Sequence, residues 1–172
     1  MKAMSVRAPW AYLFFWEYFN HIATDARFLP PGSMEPQRIE LPYPKNCENR
    51  RRSFGGKPSI IGQLDGHRGA LLIHVSKSMD IPEKQWSHHF GLVPGRIPDL
   101  GFPRGCLIGI VDVAEIRFQG ALRNAHASPW HDRMAWGIYV QKPRLLPEPV
   151  AYKGQLGIFD VDEALLPEGA IA

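Results

Sequence analysis

The chain has 172 residues, of which 45% are hydrophobic and 22% charged, with a formal net charge of +3 at pH 7. This composition is typical of a globular protein long enough to bury one core, and it argues against a disordered chain. Two cysteines are too few for a disulfide framework, so we expect a reducing, cytoplasmic location. The 16 prolines and 16 glycines are scattered, which favours short elements in one β-rich domain over residues 1–172.

An apolar segment after Pro9, WAYLFFWEYFNHIA, predicts the first helix. Proline is tolerated in a first helical turn, and no breaker follows before Thr24. Apolar residues lie on most sides of this helix, so we expect burial on several faces, with Trp10 in the core. The run is short, contains Glu17 and lacks a basic leader, so we predict neither a signal peptide nor a membrane span.

A proline-rich insertion separates this helix from the strand signals. Residues 28–44 contain five prolines, which predicts an extended loop. Residues 81–91 predict one short helix. The order of the predicted elements shows no repeated βαβ pattern. We therefore predict an α+β fold, a small, partly closed β-barrel of about five to six strands with flanking helices. Runs of branched and aromatic residues bounded by Gly or Pro predict strands over residues 47–51, 70–75, 106–118, 135–141 and 156–161.

The segment KNCENRRR, residues 45–52, concentrates positive charge around one carboxylate. In an extended conformation, alternation places Glu48, Arg50 and Arg52 on one face. Lys45 follows Pro44 in the turn before the strand, from where its side chain can reach Glu48. One interpretation is a structural ion pair between Glu48 and Arg50 at the mouth of the barrel.

Two functional interpretations of the same segment stay open. For binding, Lys45, Arg50 and Arg52 would hold phosphate oxygens while Glu48 orients the arginines. For hydrolysis, Lys45 would have to be neutral to act as a base, and Glu48 would activate a water molecule. Arg50 lowers the pKa of Lys45, but Glu48 opposes that effect.

Five segments of the chain, taken in order, form a pattern: SVRAPWA (5–11), KNCENR (45–50), HRGALLIHVSK (67–77), PRGCLIGIVDV (103–113) and YKGQLGIFDV (152–161). Together they resemble the ASCH domain family, a relative of the PUA domains. The resemblance implies a PUA-like barrel with flanking helices and a cleft that binds RNA or DNA, often single-stranded or with modified bases. Some relatives are amidohydrolases on acylated cytidine, and ribonuclease activity has been ascribed to the family.

The family pattern also assigns positions around the cleft. It implies that SVRAPW forms one wall, which makes Arg7 a second phosphate contact, and that Lys77 ends its strand near the same mouth. This chain departs from the pattern at two positions. Arg52 stands where many members carry an aromatic residue, and Glu48 stands where the amidohydrolase relatives carry a threonine nucleophile.

We therefore expect a nucleic-acid or nucleotide-binding domain that holds RNA, single-stranded DNA or a nucleoside. The first alternative is a small metal-independent hydrolase acting through Lys45 and Glu48 on an acylated nucleoside or on RNA. The second is an adaptor whose basic patch meets an acidic protein. We predict no cofactor and no membrane partner. We also predict no metal, because the spacing of the histidines suits no zinc site. The expected binding residues are Arg7, Lys45, Glu48, Arg50, Arg52 and Lys77.

Three further expectations concern single side chains. His74 lies within an apolar strand and is expected to be a core histidine with satisfied hydrogen bonds. Asp112 interrupts another apolar strand, and Arg104 is the expected partner. Trp130, Trp136 and Tyr139 are aromatic candidates for stacking on a base.

Overall fold

The computed structural model describes residues 1–8, 10–15, 45–51, 57–80, 103–121 and 128–170. Within these ranges, six strands form one mixed sheet that curves into an open half-barrel, with few helices. The insertion at 28–44, the short helix predicted at 81–91 and Arg52 lie outside the described residues. The strands are β1 (Lys2–Ala8), β2 (Cys47–Arg50), β3 (Gly69–Met79), β4 (Cys106–Gln119), β5 (Ala135–Ala151) and β6 (Ile158–Asp160).

The strand order across the sheet is β2-β5-β4-β3-β1-β6. The pairing of β1 with β3 is parallel, with Ser5 opposite His74, and the other described pairings are antiparallel. β1 therefore lies inside the sheet, between β3 and β6. Ala3 has Leu72 as its partner on one side and Phe159 on the other.

The five predicted strands are confirmed, and the structure adds two features to them. β1 occupies a segment where the sequence predicted no strand. β5 continues ten residues past the predicted end at residue 141, as far as Ala151. Its pairing with β4 shifts register at three places, and Lys142 has a φ of 50°, so irregular positions allow the strand to bend.

The described helices are short. The helix predicted after Pro9 is represented by a 3₁₀ turn at Tyr12–Phe15, and residues 16–23 of that prediction lie outside the described part of the chain. The helix α1 spans Ser59–Gln63, and a second 3₁₀ turn spans Glu163–Leu165. No helix among the described residues has the length and apolar character needed to span a membrane.

Both faces of the sheet are covered by apolar side chains. Successive residues of β3 alternate between the faces, because side chains on a strand point to opposite sides. Leu71 and Ile73 pack in the larger cluster with Tyr12 and Phe14. Leu72, between them, packs in the smaller cluster with Phe159.

The prediction that Arg104 pairs with Asp112 is wrong. Asp112 Oδ1 lies 3.2 Å from Arg144 Nη2, on the neighbouring strand β5. Arg104 precedes β4, and its Nη1 donates to the carbonyl oxygen of Lys77 instead. Asp112 pairs with Gln141 and Arg144 pairs with Ile110 in the register of β4 and β5, so Arg144 reaches Asp112 as a diagonal neighbour across the two strands.

Candidate functional site

Lys45, Glu48 and Arg50 form a compact ion cluster at the start of β2. Lys45 Nζ contacts Glu48 Oε2, and Arg50 Nη1 donates to Glu48 Oε1 at 2.6 Å. Lys45 and Glu48 are each only 6% exposed, while the side chain of Arg50 is 23% exposed. As predicted, the side chain of Lys45 reaches Glu48, and Glu48 and Arg50 lie on the same face of the strand. We call these three residues the ion cluster.

Main-chain groups from the first segment of the protein hold the cluster in position. Lys45 Nζ donates to the carbonyl oxygen of Trp10 at 3.3 Å, and Arg50 Nη2 donates to that of Ser5 at 3.2 Å. The ammonium also lies 4.4 Å from the centroid of the Phe14 ring, within range of a cation–π interaction. The cluster thus joins β2 to β1 and to the 3₁₀ turn.

Burial and charge act in opposite directions on the two most buried groups. Burial lowers the pKa of Lys45 below its ordinary value, while Glu48 opposes that effect and Arg50 adds to it. For Glu48, burial alone raises the pKa, but the charges of Lys45 and Arg50 outweigh it and the pKa is lowered. Glu48 is accordingly a carboxylate at neutral pH, next to a lysine that loses its proton more readily than an exposed one.

The ion cluster lines a cavity of about 400 Å³, which we call the cluster cavity. This volume lies within the range of roughly 300–1,000 Å³ typical of small-ligand sites. Trp10 and Trp130 contribute two indole rings to its lining, and Asp80 and Asp132 contribute two carboxylates. The lining residues are Trp10, Lys45, Glu48, Asn49, Arg50, Asp80, Pro129, Trp130 and Asp132.

Arg7 lies beside this cavity and is held by Asp80. Its Nη1 is 2.7 Å from Asp80 Oδ1, and the side chain is 60% exposed. Asp80 Oδ2 also accepts from Trp10 Nε1 at 3.1 Å, so one carboxylate fixes both residues. Arg7 lines a second cavity of about 530 Å³, the Arg7 cavity, which shares Trp10, Glu48, Arg50 and Asp80 with the cluster cavity.

Lys77 lies farther along the same surface. It lines a third cavity of about 450 Å³ together with His74 and Lys153, which we call the His74 cavity. This cavity shares Ser5, Ser76, Gln155 and Leu156 with the Arg7 cavity. The structure therefore brings Arg7, Lys45, Glu48 and Arg50 together and places Lys77 in a neighbouring recess, while Arg52 lies outside the described residues.

Sequence reasoning missed the residues that complete the cluster cavity. Asn49 Nδ2 donates to the carbonyl oxygen of Trp130 at 2.7 Å, and Asn49 Oδ1 accepts from the backbone N–H of Asp132 at 3.0 Å. Asp132 also pairs with Arg51. Asp80 follows β3 directly and lies beside β1, where Met79 is opposite Ala8. Recognising β1 as a strand would have placed Asp80 next to Arg7.

The three aromatic candidates for stacking occupy different surroundings. Trp130 lines the cluster cavity, as the base-stacking interpretation requires. Trp136 packs against Phe118, with ring centroids 5.7 Å apart. The hydroxyl of Tyr139 lies 2.8 Å from His131 Nδ1 and accepts from Arg117 at 2.7 Å, so Tyr139 belongs to a separate polar network.

The fold and the site define a small β-rich protein with a ligand-sized cavity beside a buried ion cluster. Among the described residues, no group of three or more His, Cys, Asp or Glu side chains is placed to hold a metal ion. A scan against protein-family models gives no match, and a search of the curated proteins gives none. The ASCH resemblance therefore rests on the sequence segments quoted above.

Proposed function

We propose that the chain binds a nucleotide or a single-stranded nucleic acid, with one base in the cluster cavity and the adjoining phosphates along the Arg7 cavity. The observation that carries this proposal is a cavity of ligand size, lined by two indole rings, beside a buried ion cluster. The half-barrel and the ASCH-like segments support the same proposal, because PUA-like domains bind nucleic acids in a basic cleft.

The two indoles provide the attraction for a base. Stacking of a base on an aromatic side chain contributes about 1–3 kcal/mol and tolerates any base, since every base has a π face. Glu48 and Asn49 add polar groups to the lining of the same cavity. Both are held by hydrogen bonds of their own, so a base meets fixed partners.

Exposed cations beside the cavity provide the attraction for phosphates. Arg7 and Arg51 line the Arg7 cavity, and each is paired with an exposed carboxylate, Asp80 or Asp132. Exposed ion pairs contribute only about 0–1 kcal/mol, so a phosphate can replace either carboxylate at low cost. Lys77 and Lys153 extend the positive surface into the His74 cavity.

A binding panel tests the proposal. Labelled RNA, single-stranded DNA and duplex DNA of about 10 nucleotides or base pairs, a length in the range of single-strand sites, are titrated by fluorescence anisotropy. We expect the single strands to bind more tightly than the duplex. Trp130→Ala should weaken single-strand binding about tenfold or more, in line with the loss of one stacked base.

The control for Trp130→Ala is Phe118→Ala, which removes an exposed aromatic residue of β4 that lines none of the three cavities. The control should bind like the unmodified chain. Equal affinity for duplex and single strand, or no binding of any nucleic acid at low salt, contradicts the proposal.

The second candidate is a metal-independent hydrolase acting on an acylated nucleoside or on RNA. It is favoured by one observation, the lowered pKa of Lys45 at the wall of the cluster cavity, because a general base must be neutral to accept a proton. Lys45→Ala and Glu48→Gln should each reduce turnover about a hundredfold or more. Unchanged turnover of acylated cytidine in both variants removes this candidate. A third prediction from the sequence, an adaptor whose basic patch meets an acidic protein, stays a prediction.

A further inference from the structure

Ser5 and His74 form a side-chain pair outside the ion cluster. They face each other across the parallel strands β1 and β3, and Ser5 Oγ lies 2.9 Å from His74 Nδ1. A hydroxyl within hydrogen-bond reach of an imidazole is the basic unit of an activated serine nucleophile. The sequence predicted only a core histidine here, and the hydrogen bonds on both ring nitrogens confirm that His74 is satisfied.

The surroundings of the ring decide which nitrogen carries the hydrogen. His74 Nε2 lies 3.1 Å from the carbonyl oxygen of Tyr152, which can only accept a hydrogen bond. The hydrogen is therefore on Nε2, and the lone pair of Nδ1 points at the Ser5 hydroxyl. The Ser5 hydroxyl also has the carbonyl oxygen of Gln155 within 3.1 Å, so its hydrogen has two acceptors.

The imidazole is held in this orientation. A Cβ added to Gly154 would lie 2.5 Å from His74 Nδ1, so glycine is needed for the backbone to approach the ring. The edge of the ring also meets Phe159, with centroids 6.0 Å apart. Burial lowers the pKa of His74 below its ordinary value, which keeps the ring neutral at neutral pH.

Both members of the pair are accessible from the His74 cavity. Ser5 and His74 line this recess of about 450 Å³, and Ser5 lines the Arg7 cavity as well. Lys77 and Lys153 contribute two ammonium groups to the lining of the His74 cavity. A substrate there meets a hydroxyl, a neutral base and positive charge, the combination that acyl transfer needs.

We propose that Ser5 and His74 are a nucleophile and base that hydrolyse carboxylic esters carrying an anionic group, bound in the His74 cavity. Ser5 Oγ attacks the carbonyl carbon and its proton passes to His74 Nδ1. The bond to the alcohol oxygen breaks as His74 returns that proton to the leaving oxygen. Water then attacks the acyl-serine and gives its proton to His74. The bond between the acyl carbon and Ser5 Oγ then breaks as His74 returns this proton to Oγ. The products are a carboxylic acid and an alcohol.

The charged wall of the cavity defines the substrate class. During each attack the carbonyl oxygen becomes negative, and Lys77, which lines the same cavity, supplies a cation to stabilise that charge. Lys153 provides a partner for a carboxylate elsewhere in the substrate. This activity does not depend on nucleotide binding in the cluster cavity, because Lys45 and Glu48 take no part in it.

A fluorophosphonate probe tests the pair directly in the full chain. The probe transfers its phosphonyl group to an activated serine oxygen with loss of fluoride, and peptide mass spectrometry locates the adduct. We expect one adduct, on Ser5, and hydrolysis of p-nitrophenyl succinate by the unmodified chain. Ser5→Ala should abolish both, and His74→Asn should slow both about a hundredfold or more, because Asn cannot act as a base. Ser59→Ala, which removes an exposed serine of α1 that does not line the His74 cavity, is the matched control and should behave like the unmodified chain.

Two results overturn the proposal. One is an unmodified Ser5 under conditions in which an added serine esterase is fully labelled. The other is equal labelling of Ser5 in the unmodified chain and in His74→Asn, which would show an accessible hydroxyl without a base.

A second variant keeps the test decisive where His74→Asn does not fold. In Ser5→Cys, a neighbouring imidazole that accepts the proton produces a thiolate, the reactive form of cysteine. The new thiol should then react with iodoacetamide at neutral pH about tenfold or more faster than glutathione, whose thiol has an ordinary pKa. The native Cys47 and Cys106 are buried and give separate peptides. A rate equal to or below that of glutathione contradicts the proposal.

Discussion

Glu48 lies between two cations and is almost completely buried. Its two oxygens are taken by Lys45 and Arg50, so the stability of the site depends on this one carboxylate. A buried ion pair gives little net stability, but removing one member leaves a charge without a partner. The interpretation as a structural ion pair and the functional interpretations therefore apply to the same three residues, and stability and ligand affinity must be measured separately.

The first prediction concerns Glu48. Glu48→Ala should lower the free energy of unfolding by about 3–5 kcal/mol, because Lys45 and Arg50 then face each other without a carboxylate. Adding Lys45→Met to Glu48→Leu should recover much of this loss, since methionine and leucine fill the volume without charge. Urea denaturation gives both values.

The control for that series is Asp65→Ala, which breaks the exposed ion pair with Lys57 and should leave the unfolding curve unchanged. A Glu48→Ala variant as stable as this control would contradict a structural role. If such a variant also failed to bind single strands, the cluster would serve ligand binding alone.

The second prediction concerns two buried histidines. Burial lowers the pKa of both His74 and His131 in the folded protein. The unfolded chain then binds protons first as the pH falls below about 6.5, the ordinary histidine value. Their contribution to stability is complete above that pH and is lost on acidification, at up to about 1.4 kcal/mol per pH unit for each histidine.

Urea denaturation at about pH 7.5 and pH 5.5, on either side of the ordinary histidine pKa, measures this loss. The slope should be smaller in His74→Gln and in His131→Gln, and smallest when both are replaced. A pH dependence that is unchanged in the double variant would assign the effect to other groups.

At the scale of the elements, the runs of branched and aromatic residues predicted β2 to β6. They could not predict β1, because KAMSVRA contains one branched residue and has no turn signal before it. Its place is fixed by hydrogen bonds to β3 and β6, which are distant in sequence. Pro143 and later prolines indicated an end to β5, but the shifts in its pairing with β4 accommodate them. The alternation of side chains along residues 45–50 was enough to predict the ion cluster. Asp80 and Trp130 are distant from it in sequence, and only the pairing of the strands brings them to the cluster cavity.

The third prediction concerns the packing of β4 against the 3₁₀ turn. A Cβ added to Gly109 would contact the Phe15 ring and lie 2.6 Å from the carbonyl oxygen of Arg144. Gly109→Ala should therefore destabilise the chain by about 1–3 kcal/mol, as overpacking of a core does. Gly120→Ala, at the end of the same strand, has nothing within 4 Å of the added atom and should be nearly neutral. Thermal unfolding of both variants checks the difference, and equal melting temperatures contradict it.

At the scale of the whole molecule, the sheet brings separated segments to one surface. Arg7 comes from β1, the ion cluster from residues 45–50 and Asp80 from the end of β3. The three adjoining cavities follow this surface from Trp130 to Lys77. The net charge is only +3, so attraction for an anionic strand depends on where the cations lie.

The fourth prediction uses this arrangement. Affinity for single-stranded RNA should fall as salt rises from about 50 to 200 mM, because binding releases condensed counterions. Arg7→Ala should reduce the slope of log affinity against log salt by about 0.7, the value for one phosphate contact on a single strand. Arg68→Ala removes an exposed arginine that lines none of the three cavities and should leave the slope unchanged. Equal slopes in both variants would remove Arg7 from the phosphate contacts.

The position of β1 inside the sheet has a consequence for biosynthesis. Ala3 is synthesised well before its partners Leu72 and Phe159. At about 5–20 residues per second, β1 waits on the order of 10–30 s for its second neighbour. Through that interval the edge of β1 that pairs with β6 has no strand beside it, as in the exposed edges that lead to aggregation. A nascent-chain chaperone that covers β1 should therefore raise the yield of correctly folded protein, and the yield should depend on the speed of translation.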